Sequence, residues 1–223
     1  GFTHIFYISY SGGPPRQVTS ENYNHYSFDW MKDSDGFIFS SNYTEDWEYD
    51  FRNSELYKID KNGSKMRQLT TRNGPDYEPA ISPDGKRIAY LGYDDKVQTY
   101  QVNNLYLINT EGGDRTKIDI NLDREISSLR WSRDGKKIFF MYDNEGNTKI
   151  AHTTLDGKIT KIIDDVGGTT IGRPYGGGSY SISNNSKVVY TLTSPYHPSD
   201  IGFYSSKSKK RLTNLNYELF KNK

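Results

Sequence analysis

The side chains best suited to chemistry lie in polar, aromatic-rich stretches between short apolar runs: Trp47, Arg52, Asp76, Tyr93, Asp94 and Arg173. Arg52 and Arg173 are candidates to grip a carboxylate through paired guanidinium N–H groups, and Asp94 or Asp76 to hold an amino group. Trp47 and Tyr93 add flat, amphipathic surface beside them. Bond-making machinery is not legible. The chain has no Cys, which removes disulfides, thiol catalysis and thiolate metal sites. His4, His25, His152 and His197 are dispersed without a ligand pattern, so neither a metal nor a cofactor is expected. No Gly-x-Ser-x-Gly nucleophile elbow occurs; Gly177-Gly178-Ser179-Tyr180-Ser181 comes nearest and lacks the last glycine.

The elements that must position these residues recur. Apolar strands lead into turns at Asp35-Gly36, Asp84-Gly85, Asp134-Gly135 and Asn185-Ser186, whose second residues are 49, 50 and 51 apart. Each turn joins a first strand (Ser27–Trp30, Ala80–Pro83, Ser128–Trp131, Tyr180–Ser183) to a β-rich second strand. Asp-Gly between such runs is the signal of a type I′ hairpin. A third strand (Leu56–Ile59, Leu105–Ile108, Lys149–His152, Ile201–Tyr204) and a fourth near Leu69-Thr70, Lys117-Ile118, Lys161-Ile162 or Leu212-Thr213 complete each unit. A period near fifty with four antiparallel strands per repeat predicts an all-β fold, a β-propeller of four-stranded blades.

Phe2 to Tyr10, Gly12-Gly13 and Arg16-Gln17-Val18-Thr19 match the third and fourth strands of a blade, so the chain starts in mid-blade. The expected layout is a half blade over 1–26, blades over 27–74, 75–124, 125–174 and 175–216, and a tail over 217–223. Asn214 to Lys223 is too short to complete the half blade, whose inner pair is therefore expected upstream of Gly1. On this reading the chain holds about four and a half blades of a longer protein. Four-bladed closure with an appended half blade is the alternative. An excised set of blades exposes strand edges, which makes self-association through them an expectation.

Antiparallel connections alternate ends, so the turns after strands one and three share one side of the blades. The longer connections after strands two and four share the other: 42–53, 71–78, 92–103 and 167–178. Every candidate residue named above lies in one of these, and loops held by a rigid scaffold are where recognition is usually built. The competing reading is that the loop aromatics merely pin each loop onto its own blade.

Composition excludes more than it suggests. With 29 basic and 28 acidic side chains the net charge is +1, which argues against a nucleic-acid partner. No apolar run reaches membrane-spanning length. Asp143-Asn144-Glu145-Gly146-Asn147 reads as a polar hairpin turn rather than a calcium loop, and the acidic residues around Trp47 read as a solvated loop. Lys207, Lys209, Lys210 and Arg211 read as a solvated basic edge.

Leu69-Thr70-Thr71-Arg72-Asn73-Gly74-Pro75-Asp76, followed by Pro79-Ala80-Ile81-Ser82-Pro83-Asp84-Gly85-Lys86-Arg87-Ile88-Ala89-Tyr90, resembles the propeller of the prolyl oligopeptidase family of serine peptidases, most of all its acylaminoacyl peptidase-like branch. Asp143 to Lys149, Gly167 to Tyr175, Ser194 to Asp200 and Arg211 to Asn216 extend the likeness over essentially the whole chain. The Ser-Pro-Asp-Gly element alone is shared with TolB-like propellers. The resemblance implies a propeller, commonly of seven blades, capping a C-terminal α/β-hydrolase domain with a Ser-Asp-His triad. A ring of seven would place on the order of 125 residues upstream at this period. The blades would then gate peptide substrates and hold their ends, with no catalytic residue of their own.

Two functions stay open: the non-catalytic gate of a serine peptidase, and a TolB-like free-standing propeller that binds a protein partner. Compartment is not legible, because relatives work on both sides of the membrane.

Overall fold

The computed structural model describes residues 1–168, 177–194, 196–206 and 208–221. The chain divides into two compact units, Gly1–Asp119 and Ile120–Lys223.

The first unit opens with a short antiparallel pair, β1 (Phe6–Tyr7) and β2 (Arg16–Gln17). Two four-stranded antiparallel sheets follow. One runs β3 (His25–Trp30), β4 (Gly36–Ser41), β5 (Glu55–Asp60), β6 (Arg67–Gln68). The other runs β7 (Asp76–Ile81), β8 (Arg87–Gly92), β9 (Asn104–Asn109), β10 (Thr116–Ile118). All six residues of β4 are buried, because alternate side chains face two different cores. Phe37 and Phe39 pack with Ile5, Val18, Tyr57 and Ile59, whereas Ile38 packs with Leu56 of its own sheet and with Ile88, Tyr90 and Ile108 of the next. Each fully buried Phe or Ile contributes roughly 1.5–3 kcal/mol. A sheet apolar on both faces is stable only between neighbours, which is the physical content of a propeller blade.

The second unit contains β11 (Ile126–Trp131), β12 (Lys137–Asn144), β13 (Asn147–Thr154) and β14 (Ile159–Val166), then β15 (Tyr180–Ile182), β16 (Val188–Ser194), β17 (His197–Ser205) and β18 (Ser208–Arg211). The two sets of strands touch edge to edge through one pairing, Val166↔Leu192. Phe139, Met141, Ile150, Ile163, Tyr180, Val188 and Tyr190 form the shared core. A single helical turn, α1 (Tyr217–Phe220), follows the last strand in a tail where the sequence suggests no helix.

The architecture is the expected all-β array of four-stranded antiparallel sheets, but the hairpin chemistry differs from expectation. Type I′ requires positive φ at both central residues, and in these turns only one residue is left-handed: Ser34 (φ 59°), Gly85 (75°), Gly135 (66°) and Ser186 (59°). The preceding Asp is instead a side-chain acceptor. Asp84 Oδ1 takes hydrogen bonds from Ser82 Oγ and the Lys86 N–H, and Asp134 Oδ1 takes them from Ser132 Oγ and the Lys136 N–H. In the first blade this role belongs to Asp33, which accepts from the Asp35 N–H, while the Ser34 N–H closes the turn onto Met31 O. The equivalent of Asp84-Gly85 is therefore Asp33-Ser34, not Asp35-Gly36. In this register the left-handed residues stand 51, 50 and 51 apart. The I′ signature does occur at Glu145-Gly146 (φ 56° and 79°), the two-residue turn between β12 and β13.

A second repeating device is not announced by any turn residue. The first strand of three blades carries a bulge at a left-handed non-glycine position, Ser27, Glu78 and Ser128, each seven residues before the turn residue.

Candidate functional site: the long-loop rim of the first unit

Thr70 closes the second blade-edge of the first unit. Its Oγ1 accepts the Leu56 N–H at 2.9 Å and donates to Glu55 Oε2 at 2.5 Å. Glu55 Oε1 in turn accepts the Arg72 N–H, so one carboxylate fixes the chain as it leaves the fourth strand. The last blade repeats the device. Thr213 Oγ1 accepts the Ile201 N–H and donates to Asp200 Oδ1, both at 2.8 Å, and Asp200 Oδ1 accepts the Leu215 N–H at 3.0 Å. In the half blade Thr19 Oγ1 accepts the Ile5 N–H at 3.0 Å, with His4 standing where the carboxylate would be.

The two carboxylates titrate in opposite directions. Burial pushes Glu55 up to about 7, with Asp76 adding to the rise against the Thr70 and Arg72 hydrogen bonds. Burial also opposes ionisation of Asp200, but the Leu215 N–H, the Thr213 hydroxyl and Arg211 outweigh it and hold Asp200 below its ordinary value.

Fastening residue 72 aims its side chain. The Arg72 guanidinium, 2% exposed, donates from Nε to Asp76 Oδ1 at 2.7 Å and from Nη1 to Asp94 Oδ1 at 2.8 Å and Tyr106 Oη at 3.2 Å. Its Cζ lies 4.4 Å from the Tyr106 ring centroid, a cation–π contact. Asp76 is fully buried; burial pushes its carboxyl upward and the Arg72 guanidinium opposes the rise. Gly92 is required beside it, since a Cβ there would lie 2.2 Å from Asp76 Oδ1.

Of the residues singled out from the sequence, Asp76 and Asp94 meet at Arg72, on opposite sides of solvent. Asp76 is committed inside the blade, whereas Asp94 is 72% exposed at the rim. Tyr93 is half-buried, and its N–H donates to Pro75 O at 3.3 Å, tying the loop after β8 to the segment entering β7. Arg52 reaches the same loop: its Nη1 lies 3.9 Å from Asp95 Oδ1 and donates to Gln98 O at 3.5 Å. Trp47 stands apart, edge-on to Phe2 at 6.0 Å and Tyr23 at 6.4 Å, so it anchors its loop onto the segments that precede β1 and β3. Arg173 lies outside the described residues. Sequence reading passed over Arg72 and Glu55. The available signal was a shared order, an acid directly before the apolar run of the third strand and a Thr closing the fourth, Glu55 with Thr70 and Asp200 with Thr213, 15 and 13 residues apart.

The rim thus presents Asp94 and Arg52, an anion and a cation, on two loops joined through Asp95, with Tyr93 between blade and solvent. Such a rim suits the ends of a zwitterionic chain. Among the described residues no group of three or more His, Cys, Asp or Glu could hold a metal.

Comparison with known proteins agrees with this architecture. The fold is that of a β-propeller: the chain superposes on a TolB-type protein from Agrobacterium tumefaciens with a TM-score of 0.69 at 20% identity, covering 93% of this chain and 73% of that one. It superposes on an acylaminoacyl peptidase, in complex with Z-Gly-Gly-Phe-chloromethyl ketone, with a TM-score of 0.64 at 17% identity, covering 94% and 30%. Residues 1–99 match the family described as the dipeptidyl peptidase IV (DPP IV) N-terminal region. The chain is 26% identical over 138 residues to dipeptidyl-peptidase 5 of Porphyromonas gingivalis, a span of 60% of this chain and 20% of that protein. This chain is therefore a set of propeller blades related to the N-terminal propellers of peptidases. It spans about a fifth of the length of that relative.

Proposed function

We propose that these blades belong to the non-catalytic propeller of a serine peptidase, a ring of seven in the parent protein, and that their long-loop rim gates and orients peptides over a C-terminal α/β-hydrolase domain. The observation that carries this is the match of residues 1–99 to the dipeptidyl peptidase IV N-terminal region. The rim supports it: Asp94 is exposed for an amino terminus, and Arg52, partly exposed, for a carboxylate. Trp47 and Tyr93 shape the loops that carry them. Asp76 serves through Arg72, which it holds in place. Arg173 belongs to the proposal as a second carboxylate ligand on the evidence of its loop alone.

The test uses the intact parent protein. It should label with a fluorophosphonate probe, and Asp94→Asn should raise KM for a peptide with a free amino terminus while leaving a blocked peptide unaffected. No labelling removes the peptidase reading; labelling with no change in KM removes only the assignment of the rim.

A second reading rests on the TolB-type superposition, which covers more of its partner than the peptidase one does. Under it the same rim binds a protein partner in a free-standing propeller. Self-association through exposed apolar strand residues, Phe6, Tyr26 and Phe28 among them, is a further proposal that sedimentation of the chain would check.

A further inference from the structure

The second unit carries a groove of about 700 Å³ at its short-turn side, between β12–β14 and the hairpins of the last blade. Lys137, Lys187 and Lys210 line it together with His152, over a floor that includes Phe203, with Phe139 buried against the His152 ring. The three lysines reach it from three different strands or turns. Strand alternation separates Lys210 from its neighbours: Lys209 pairs with Asp164 at 3.0 Å and Asp165 at 2.8 Å, and Arg211 lies 3.6 Å from Asp200, whereas the Lys210 Nζ sits 5.7 Å from the Phe203 ring centroid. Among the described residues none of the three has a carboxylate within ion-pair distance. The acids of the adjoining turns are hydrogen-bonded within them, Asp134 by Ser132 Oγ and the Lys136 N–H, Asp156 by Thr154 Oγ1, and Asp134 also feels the charge of Lys137 without ion-pair contact. His152 is 9% exposed, and its Nδ1 is buried without a partner, which leaves Nε2 as the ring atom able to donate into the groove. Burial and the charge of Lys137 hold this imidazole below its ordinary pKa.

Three unpaired cations facing one concavity repel each other, and an anion with more than one charge relieves that repulsion at once. The aromatic floor adds a requirement for an apolar body, because a bare ion would leave it wet. We propose that this groove binds a small organic phosphate, its phosphoryl group held by Lys137, Lys187 and Lys210 and its body laid on Phe203. The assignment is independent of any peptidase role for the long-loop rim of the first unit.

Calorimetric titration of the full chain with phenyl phosphate tests it, with inorganic phosphate and chloride at matched ionic strength as comparators. Saturable binding of phenyl phosphate is expected, weakened about tenfold by Lys210→Gln or Lys187→Gln. Inorganic phosphate should bind more weakly, and Lys117→Gln, an exposed lysine of the other unit, should change nothing. A titration without saturation overturns the proposal. So does equal affinity for inorganic phosphate, or a loss in Lys117→Gln as large as in Lys210→Gln. Each variant replaces a surface amine by an amide, and an unchanged melting curve confirms that the fold is retained.

Discussion

Arg72 Nε and Asp76 Oδ1 are 2.7 Å apart with both side chains closed to solvent, yet the same guanidinium touches an exposed carboxylate, Asp94, at the rim. A buried charge on a fold element therefore sets the position of a surface acid. Removing one partner of such a pair strands the other charge. Asp76→Asn and Arg72→Met should each cost about 3–5 kcal/mol in urea unfolding, and the paired replacement Arg72→Met with Asp76→Leu should cost less than either. Arg72→Lys should not restore stability, because an ammonium cannot serve Asp76, Asp94 and Tyr106 in one plane. A double variant as unstable as the sum of the singles would refute the pairing.

Glu55 and Asp200 do the same mechanical job with opposite proton linkage. The folded pKa of Glu55 lies above its ordinary 4.5, at about 7, so the native state holds the proton more tightly than the unfolded state. Its contribution is fully present below pH 4.5 and lost as pH rises toward 7, by up to about 3 kcal/mol. Asp200, depressed below its ordinary 3.8, contributes above that value and loses its contribution as pH falls through the folded pKa. Denaturation midpoints between pH 3 and pH 8 should show Glu55→Gln flattening the neutral limb and Asp200→Asn flattening the acid limb. Interchanged limbs would show the assignments to be wrong.

The corrected turn register makes two substitutions diverge. Ser34 occupies the left-handed position that is glycine at Gly85 and Gly135, so Ser34→Gly should stabilise by a few tenths to about 1 kcal/mol. Gly36 has no such φ but faces the backbone, where a Cβ would stand 2.3 Å from Ile59 O. Gly36→Ala should destabilise by about 1–3 kcal/mol. Thermal melts of the two variants that move in the same direction would reject this register.

Thr213→Val keeps the shape of the clamp and removes its hydroxyl. The Ile201 N–H and one lone pair of Asp200 then lose their partner, at about 1–3 kcal/mol. Amide exchange at Ile201 and Leu215 should accelerate while exchange in β12 is unchanged; uniform acceleration would mean that the clamp is not local.

The blade period was legible because turns and apolar runs are written locally, as at Ser82-Pro83-Asp84-Gly85 and Ser132-Arg133-Asp134-Gly135. It misled in the first blade, where two Asp residues two positions apart compete and the glycine that looks like a turn residue is a close-approach residue of β4. The bulges at Ser27, Glu78 and Ser128 were hidden because a left-handed Ser or Glu has no signature of its own. Asp76 was placed with the rim because its loop is polar. That it turns inward depends on Arg72, four residues earlier in the connection entering β7, and no strand or turn pattern announces that the two side chains close on each other away from solvent. Asp94 and Arg52 lie in the loops that alternation assigned to one side, and their joining through Asp95 needed coordinates.

The hydroxyl clamp of Thr70 and Thr213 also bears on how such a chain is assembled. Each joins residues separated by 13 to 15 positions, so the outer strands fasten within a segment the ribosome has only just released. A stretch of about fifty residues copied in a gene would carry its own fastening with it. Loops on the far side could then lengthen or change sequence without loosening the blade they hang from.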